Sequence, residues 1–295
     1  MFKTSWEICR VFDIPIRLDI SLIILFFVIQ ANFNNPLYGL VGFVLLLLSI
    51  VLHELGHSLT ARAFGCRIID IKLMLIGGAA RLASLPRKAW QEMLVAIAGP
   101  AVSLVLGLGT LLLAGPERRY VVAYGTMMPV FPSAMHEILY YSFGWGNLVL
   151  FCFNLLPAFP MDGGRVLRSF LQQFFTTRLR ATWIASRVGR AMAVGFAVCA
   201  VLNLFGFRVP FFGGTVNLLL IAYFIYVSAE NEYRMVLAEE TAYSRSSFSD
   251  FFGGNPFFRR NPFSAPPPPP PGDGRATVSP PPYGGDTSRV DVKKS

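Results

Sequence analysis

His53-Glu54-Leu55-Gly56-His57 sets two imidazoles four residues apart inside an almost wholly apolar run. On a helix, positions i and i+4 lie one turn apart on the same face, so both rings can reach one metal ion. The HExxH spacing is that of zinc hydrolases. Glu54 stands beside the pair as the candidate general base for an attacking water. Upstream, Leu40 to Leu52 carries no charge at all. An ionisable group at the centre of a membrane helix costs about 2.5–3.5 kcal/mol on insertion scales, so three in little more than one turn mark a functional site. The chemistry implied is metal-assisted hydrolysis within a bilayer.

A catalytic zinc takes three protein ligands and keeps one position open. The third ligand must arrive from elsewhere at the depth of the histidines. Asp162 is the only carboxylate between Glu137 and Glu230. It sits in Asn154-Leu-Leu-Pro-Ala-Phe-Pro-Met-Asp-Gly-Gly-Arg165, where Pro157 and Pro160 break a helix and Gly163-Gly164 free the backbone to turn. Irregular backbone at that depth is tolerated only where it is buried or lines a watery cavity. Two segments about a hundred residues apart therefore point at one place.

The elements that must position these groups are membrane spans. Hydrophobic residues make up 54% of the 295 and charged residues 15%, against about 25% charge in soluble domains. Six apolar segments are expected to cross, near residues 18–33, 39–64, 90–114, 137–157, 182–204 and 213–228, which predicts an all-α polytopic bundle. Between the second and third, Cys66 to Leu82 is rich in β-branched residues around Gly77-Gly78 and predicts a short membrane-associated β hairpin. Residues 62–90 hold six basic side chains against Asp70, and five arginines follow the fourth segment. Residues 30–39 have no charge. This alternation predicts six crossings with both termini in the cytoplasm, at the cell (inner) membrane. The N-terminal run, with Lys3, Arg10 and Arg17, lacks a convincing cleavage site and is expected to stay.

The net charge of +9 is scattered over loops and tail without a basic helix face, so no nucleic-acid partner is expected. Cys9, Cys66, Cys152 and Cys199 form no CxxC and read as small hydrophobes. His136 reads as an interface residue, and Gly99, Gly107 and Gly109 with Ser103 as helix-packing positions. Residues 1–230 are expected to form the core. Residues 231–295 begin with a polar helix-like stretch, Glu230 to Glu240, and are expected to form a disordered cytoplasmic tail. Pro266–Pro271 and Pro280–Pro282 there offer a site for a proline-motif-binding partner.

At these residues the chain resembles the site-2 protease family of intramembrane zinc metalloproteases (peptidase family M50). The likeness lies in His53-Glu-Leu-Gly-His57, Gly77-Gly78, Ala98-Gly99-Pro100 with Ser103, and Asn154…Pro157…Asp162-Gly163, across about residues 10–230. The resemblance implies one zinc ion per chain held by His53, His57 and Asp162, with Glu54 as general base. It implies that Asn154 assists the oxyanion, and that Gly77 and Gly78 belong to a β element pairing with a transmembrane protein substrate, expected beside Ile68 to Leu75. No PDZ or CBS module is expected: the 115–136 loop is short, and a proline-rich tail stands where many relatives carry CBS pairs. Two other classes compete, a non-enzymatic zinc transporter or sensor, and a scaffold recruiting partners through the tail. A transporter would need ionisable groups along a whole pathway, whereas here they cluster at one depth.

Overall fold

The longest apolar runs become the longest helices. The computed structural model describes residues 5–253 except 76, 84, 85, 87, 116, 124, 125, 132 and 206–214, with the backbone alone for 117–130 and 243–253. The proline runs and their proposed partner site lie outside the described residues. Helix α1 covers Leu22–Gln30, α2 Pro36–Ala63, α3 Ala89–Leu113, α4 Ala134–Ile138, α5 Gly146–Asn154, α6 Asp162–Phe174, α7 Arg178–Leu204 and α8 Thr215–Gly253. A π-helical turn, Leu139–Trp145, joins α4 to α5, so 134–154 runs as one continuous helix. Among the described residues, α2, α3 and α7 are long and apolar enough to cross a membrane. At 1.5 Å per residue the 28 residues of α2 reach about 42 Å, against about 30 Å of hydrocarbon. Its start is fixed by Asn35, whose side chain accepts the Leu37 N–H at 2.9 Å, with Pro36 in the first turn.

Strands β1 (Ser5–Val11), β2 (Ile14–Asp19), β3 (Ile68–Met74) and β4 (Gly77–Leu82) form one sheet in that order. The β1–β2 and β3–β4 pairs are antiparallel, and β2 runs parallel to β3 with Ile16 opposite Ile71. Ile14, Ile16, Ile71 and Leu73 pack on Ile50 and Leu55 of α2. Buried Asp70 joins three strands: Arg81 donates from Nε at 2.6 Å, and Arg17 Nε lies 3.3 Å away. A separate hairpin pairs β5 (Glu117–Ala123) with β6 (Thr126–Val130).

The hairpin expected over 66–82 is present, but the sheet is larger than an all-α reading allows, because β1 and β2 add to it from a stretch read as a charged loop. The expected first span begins inside β2, and its helix has nine residues, about 13.5 Å. A full-length helix is unnecessary here because the sheet reaches up beside α2. Leu75 N–H donates to Ser21 Oγ at 3.1 Å, placing the start of α1 at the sheet tip, and Gly78 abuts Ile50. At its other end the Gln30 side chain fills the space over Gly39. The polar stretch after 230 is helical as expected but continues to Gly253, and Val236 is buried. Strand β3 has neighbours on both edges, so no chain can add beside Ile68–Met74; among the described residues the free edges belong to β1 and β4.

Candidate metal centre

Helix α2 carries His53, Glu54 and His57, all buried. Asp162 is the first residue of α6, after the loop 155–161. That loop is folded tightly, with Ala158 N–H donating to Leu156 O at 2.7 Å and Met161 N–H to Ala158 O at 2.9 Å. A Cβ at Gly163 would collide with the Leu155 and Leu156 carbonyls, and one at Gly164 would lie 2.7 Å from the Ala158 carbonyl carbon. The Asp-Gly-Gly sequence is thus what lets α6 begin against the loop and present the carboxylate.

The three side chains converge. His53 Nε2 lies 3.2 Å from Asp162 Oδ2, His57 Nε2 lies 3.0 Å from the same oxygen, and the two nitrogens are 3.2 Å apart. Among the described residues they form a group of potential ligand atoms within 4.8 Å of one another. Tetrahedral zinc with ligand distances of 2.0–2.1 Å would place its ligand atoms about 3.3 Å apart. The donor set and its spacing fit zinc.

Hydrogen bonding around the rings supports the same conclusion. His57 Nδ1 lies 2.7 Å from Val95 O, a group that can only accept, so Nδ1 carries a proton and the neutral form of the ring would turn a bare Nε2 inward. His53 Nδ1 lies 2.9 Å from Ser103 Oγ. With both Nδ1 atoms bonded outward, both Nε2 atoms face Asp162 Oδ2 and are placed to share one cation with it. Helix α3 approaches closely enough to make these contacts because it carries Gly99, where a Cβ would collide with the His57 ring. Gly56 of α2 likewise lets Ala98 and Val102 come near.

Glu54 takes a different direction. One of its carboxylate oxygens, Oε2, accepts the Ala80 N–H of β4 at 3.0 Å, and Gly78 packs on its side chain. A cavity of about 680 Å³ opens here, lined by His53, His57, Asp162, Glu54, Asn154 and β4 from Gly77 to Ala80. Gly77 has φ +125°, a conformation glycine supplies without strain, which lets β4 leave the turn beside the cavity. Asn154 lines the wall, with Nδ2 donating to Leu150 O at 3.0 Å. All the residues anticipated from sequence meet around one cavity. His136 does not: it is exposed in α4 and bonded to Ser133 at 2.8 Å. Sequence reasoning assigned Ser103 to packing alone and overlooked Val95 and Ala80. The stripe Val95, Gly99 and Ser103 at helical spacing was the available signal.

Comparison with known proteins agrees with this geometry. The sequence profile of peptidase family M50 matches residues 41–120 and 122–196. A zinc metalloprotease of Methanocaldococcus jannaschii is 34% identical over 256 residues, 86% of this chain and 68% of that protein. Stage IV sporulation protein FB of Bacillus subtilis is 32% identical over 41% of this chain, which spans 37% of that protein's length. Among solved structures, the site-2 protease from Methanocaldococcus jannaschii superposes with a TM-score of 0.53 at 32% identity, covering 78% of this chain and 95% of that one. With its buried His53, His57 and Asp162 cluster and these matches, the chain belongs to peptidase family M50 and is a zinc metalloprotease of the site-2 type.

Proposed function

We propose that this protease hydrolyses peptide bonds within or near the transmembrane segments of membrane proteins, with one zinc ion per chain held by His53, His57 and Asp162. The observation that carries the reading is the convergence of those three buried side chains on helices embedded in an apolar bundle. Six crossings account for the chain: β2 with α1, α2, α3, the helix 134–154, α7 and α8. For the first, six strand residues and nine helical residues give about 33 Å, close to the hydrocarbon thickness. An even number of crossings keeps both termini and the basic residues flanking β3–β4 on the cytoplasmic side of the cell membrane, with β3–β4 entering the bilayer beside β2 from that side. The core occupies residues 1–230 together with the turn of α8 that carries Glu232, and residues 241–295 are dispensable for catalysis.

Bound zinc would supply the Lewis acidity that polarises a peptide carbonyl and acidifies a water to near neutral pH. Glu54 takes a proton from the attacking water and returns it to the leaving amine nitrogen. With Oε2 anchored on Ala80, the carboxylate keeps Oε1 for that transfer. Asn154, on the cavity wall, steadies the developing oxyanion with its amide. A helical substrate hides its peptide bonds behind its own hydrogen bonds and must unwind. Its replacement partners lie on the free edge of β4 beside Gly77 and Gly78, where strand addition supplies the backbone bonds.

Quantitative proteomics of membrane-protein fragments tests the activity, comparing cells that carry the wild type with cells that carry Glu54→Gln. Fragments ending within apolar segments are expected only with the wild type. Identical fragment sets would remove the assignment.

A further inference from the structure

The metal ligands come from two helices, and something must fix how far α6 stands from α2. Arg168, on α6, is 2% exposed and donates Nη2 to Glu92 of α3 and Nη1 to Glu232 of α8, the latter at 2.5 Å. Its guanidinium also lies 5.3 Å from the centre of the Phe159 ring, in the loop that delivers Asp162. Glu92, Val95, Gly99 and Ser103 recur at positions i, i+3, i+7 and i+11, and all four are buried along one stripe of α3. The upper part of that stripe sets both histidine rings. Its first residue holds the aspartate's helix.

Helix α8 completes the arrangement. Ile225 packs with Ala158 and Met161, and Ala229 with Phe159, so α8 supports the ligand loop from beneath while Glu232 holds Arg168. A buried ion cluster contributes little net stability compared with apolar packing of the same volume, whereas it specifies one geometry. We infer that the Glu92–Arg168–Glu232 cluster is a positioning device that sets the placement of Asp162, and through it the zinc affinity of the site, with α8 as its outer member. The inference rests on the zinc reading of the site.

Zinc affinity of the purified full-length protein, measured by competition with a fluorescent chelator, tests it. Loss of a group bonded directly to a ligand weakens metal binding by about 10–100-fold, which bounds the effect of a cluster that acts through the ligand's helix. Glu232→Gln is expected to raise the zinc Kd about tenfold and Arg168→Met about a hundredfold. Arg168→Lys should fall between wild type and Arg168→Met, since one ammonium cannot fork to two carboxylates. Glu230→Gln is the control: Glu230 lies on the same helix, two residues away, and pairs with Arg190 at 2.9 Å, outside the cluster. Its zinc Kd should stay at the wild-type value. A purely structural role would lower the melting temperature of zinc-free and zinc-loaded protein equally and leave Kd unchanged. Unchanged Kd in Glu232→Gln and Arg168→Lys, or an equal loss in Glu230→Gln, overturns the inference. Absence of zinc binding in the wild type would instead overturn the zinc reading beneath it.

Discussion

Gly78→Ala separates the base from the metal. A Cβ at residue 78 would stand 2.7 Å from Glu54 Cγ, 2.8 Å from Ile50 Cγ2 and 3.1 Å from Glu54 Oε1, where ordinary contacts begin near 3.4 Å. The overlap is about 0.7 Å, and something must move by that much. Strand β4 resists, because Gly77 and Gly78 pair with Met74 and Leu73 of the interior strand β3, and Ile50 is packed in the core beneath the sheet. The Glu54 side chain is the part that gives way. A displacement of about 1 Å at a catalytic group can cost about 100-fold in rate, or about 2.7 kcal/mol of transition-state stabilisation. None of the zinc ligands is among the nearest atoms to that Cβ. Cleavage of a fluorogenic transmembrane peptide in detergent should therefore show kcat down about 100-fold with zinc content unchanged. A kcat within threefold of wild type, or loss of zinc along with activity, would refute the reasoning.

Gly99→Ala should fail in the opposite manner. The new methyl occupies the space of the His57 ring, so zinc content falls together with activity, as measured by metal analysis of the purified protein; a fully zinc-loaded variant would contradict it. Strand addition on β4 predicts a period of two in the substrate, since successive strand residues face opposite sides. Backbone N-methylation of a substrate peptide at alternate residues should block cleavage and at the intervening residues spare it; uniform tolerance along the peptide would exclude pairing with that edge.

Chemistry in this chain was easier to read than packing. His53, Glu54, His57 and Asp162 stood out because ionisable groups are rare and costly in apolar runs, and the structure gathers the three candidate ligands within a few ångströms. The hairpin at β3–β4 was visible from its β-branched residues and Gly77-Gly78. Its pairing with β2 was not, because the paired residues lie 55 positions apart in sequence and nothing local in Ile14–Asp19 announces a parallel partner. Arg17 looked like a topology charge, yet it lies against Asp70 across the sheet. The same ambiguity concealed Glu92, Arg168 and Glu232. Charges near the ends of spans serve orientation and pairing alike, and only the folded chain separates the two.

Strand β4 combines duties that sequence alone would have assigned separately. Its Ala80 N–H holds the Glu54 carboxylate, and in an antiparallel strand the N–H and C=O of one residue point to the same side. The edge that bonds Glu54 is therefore the outer edge of the sheet among the described residues, and a strand added there must pair around the Ala80 N–H that Glu54 already occupies. Gly78, two residues away and on the same side, has no side chain to obstruct either contact. An extended peptide bonded along this edge would lie beside Glu54 and over the cavity that contains the ligands. A substrate that stays helical has no unpaired amides to offer it. Selection for locally unwound segments would then follow from backbone geometry before any side chain is read.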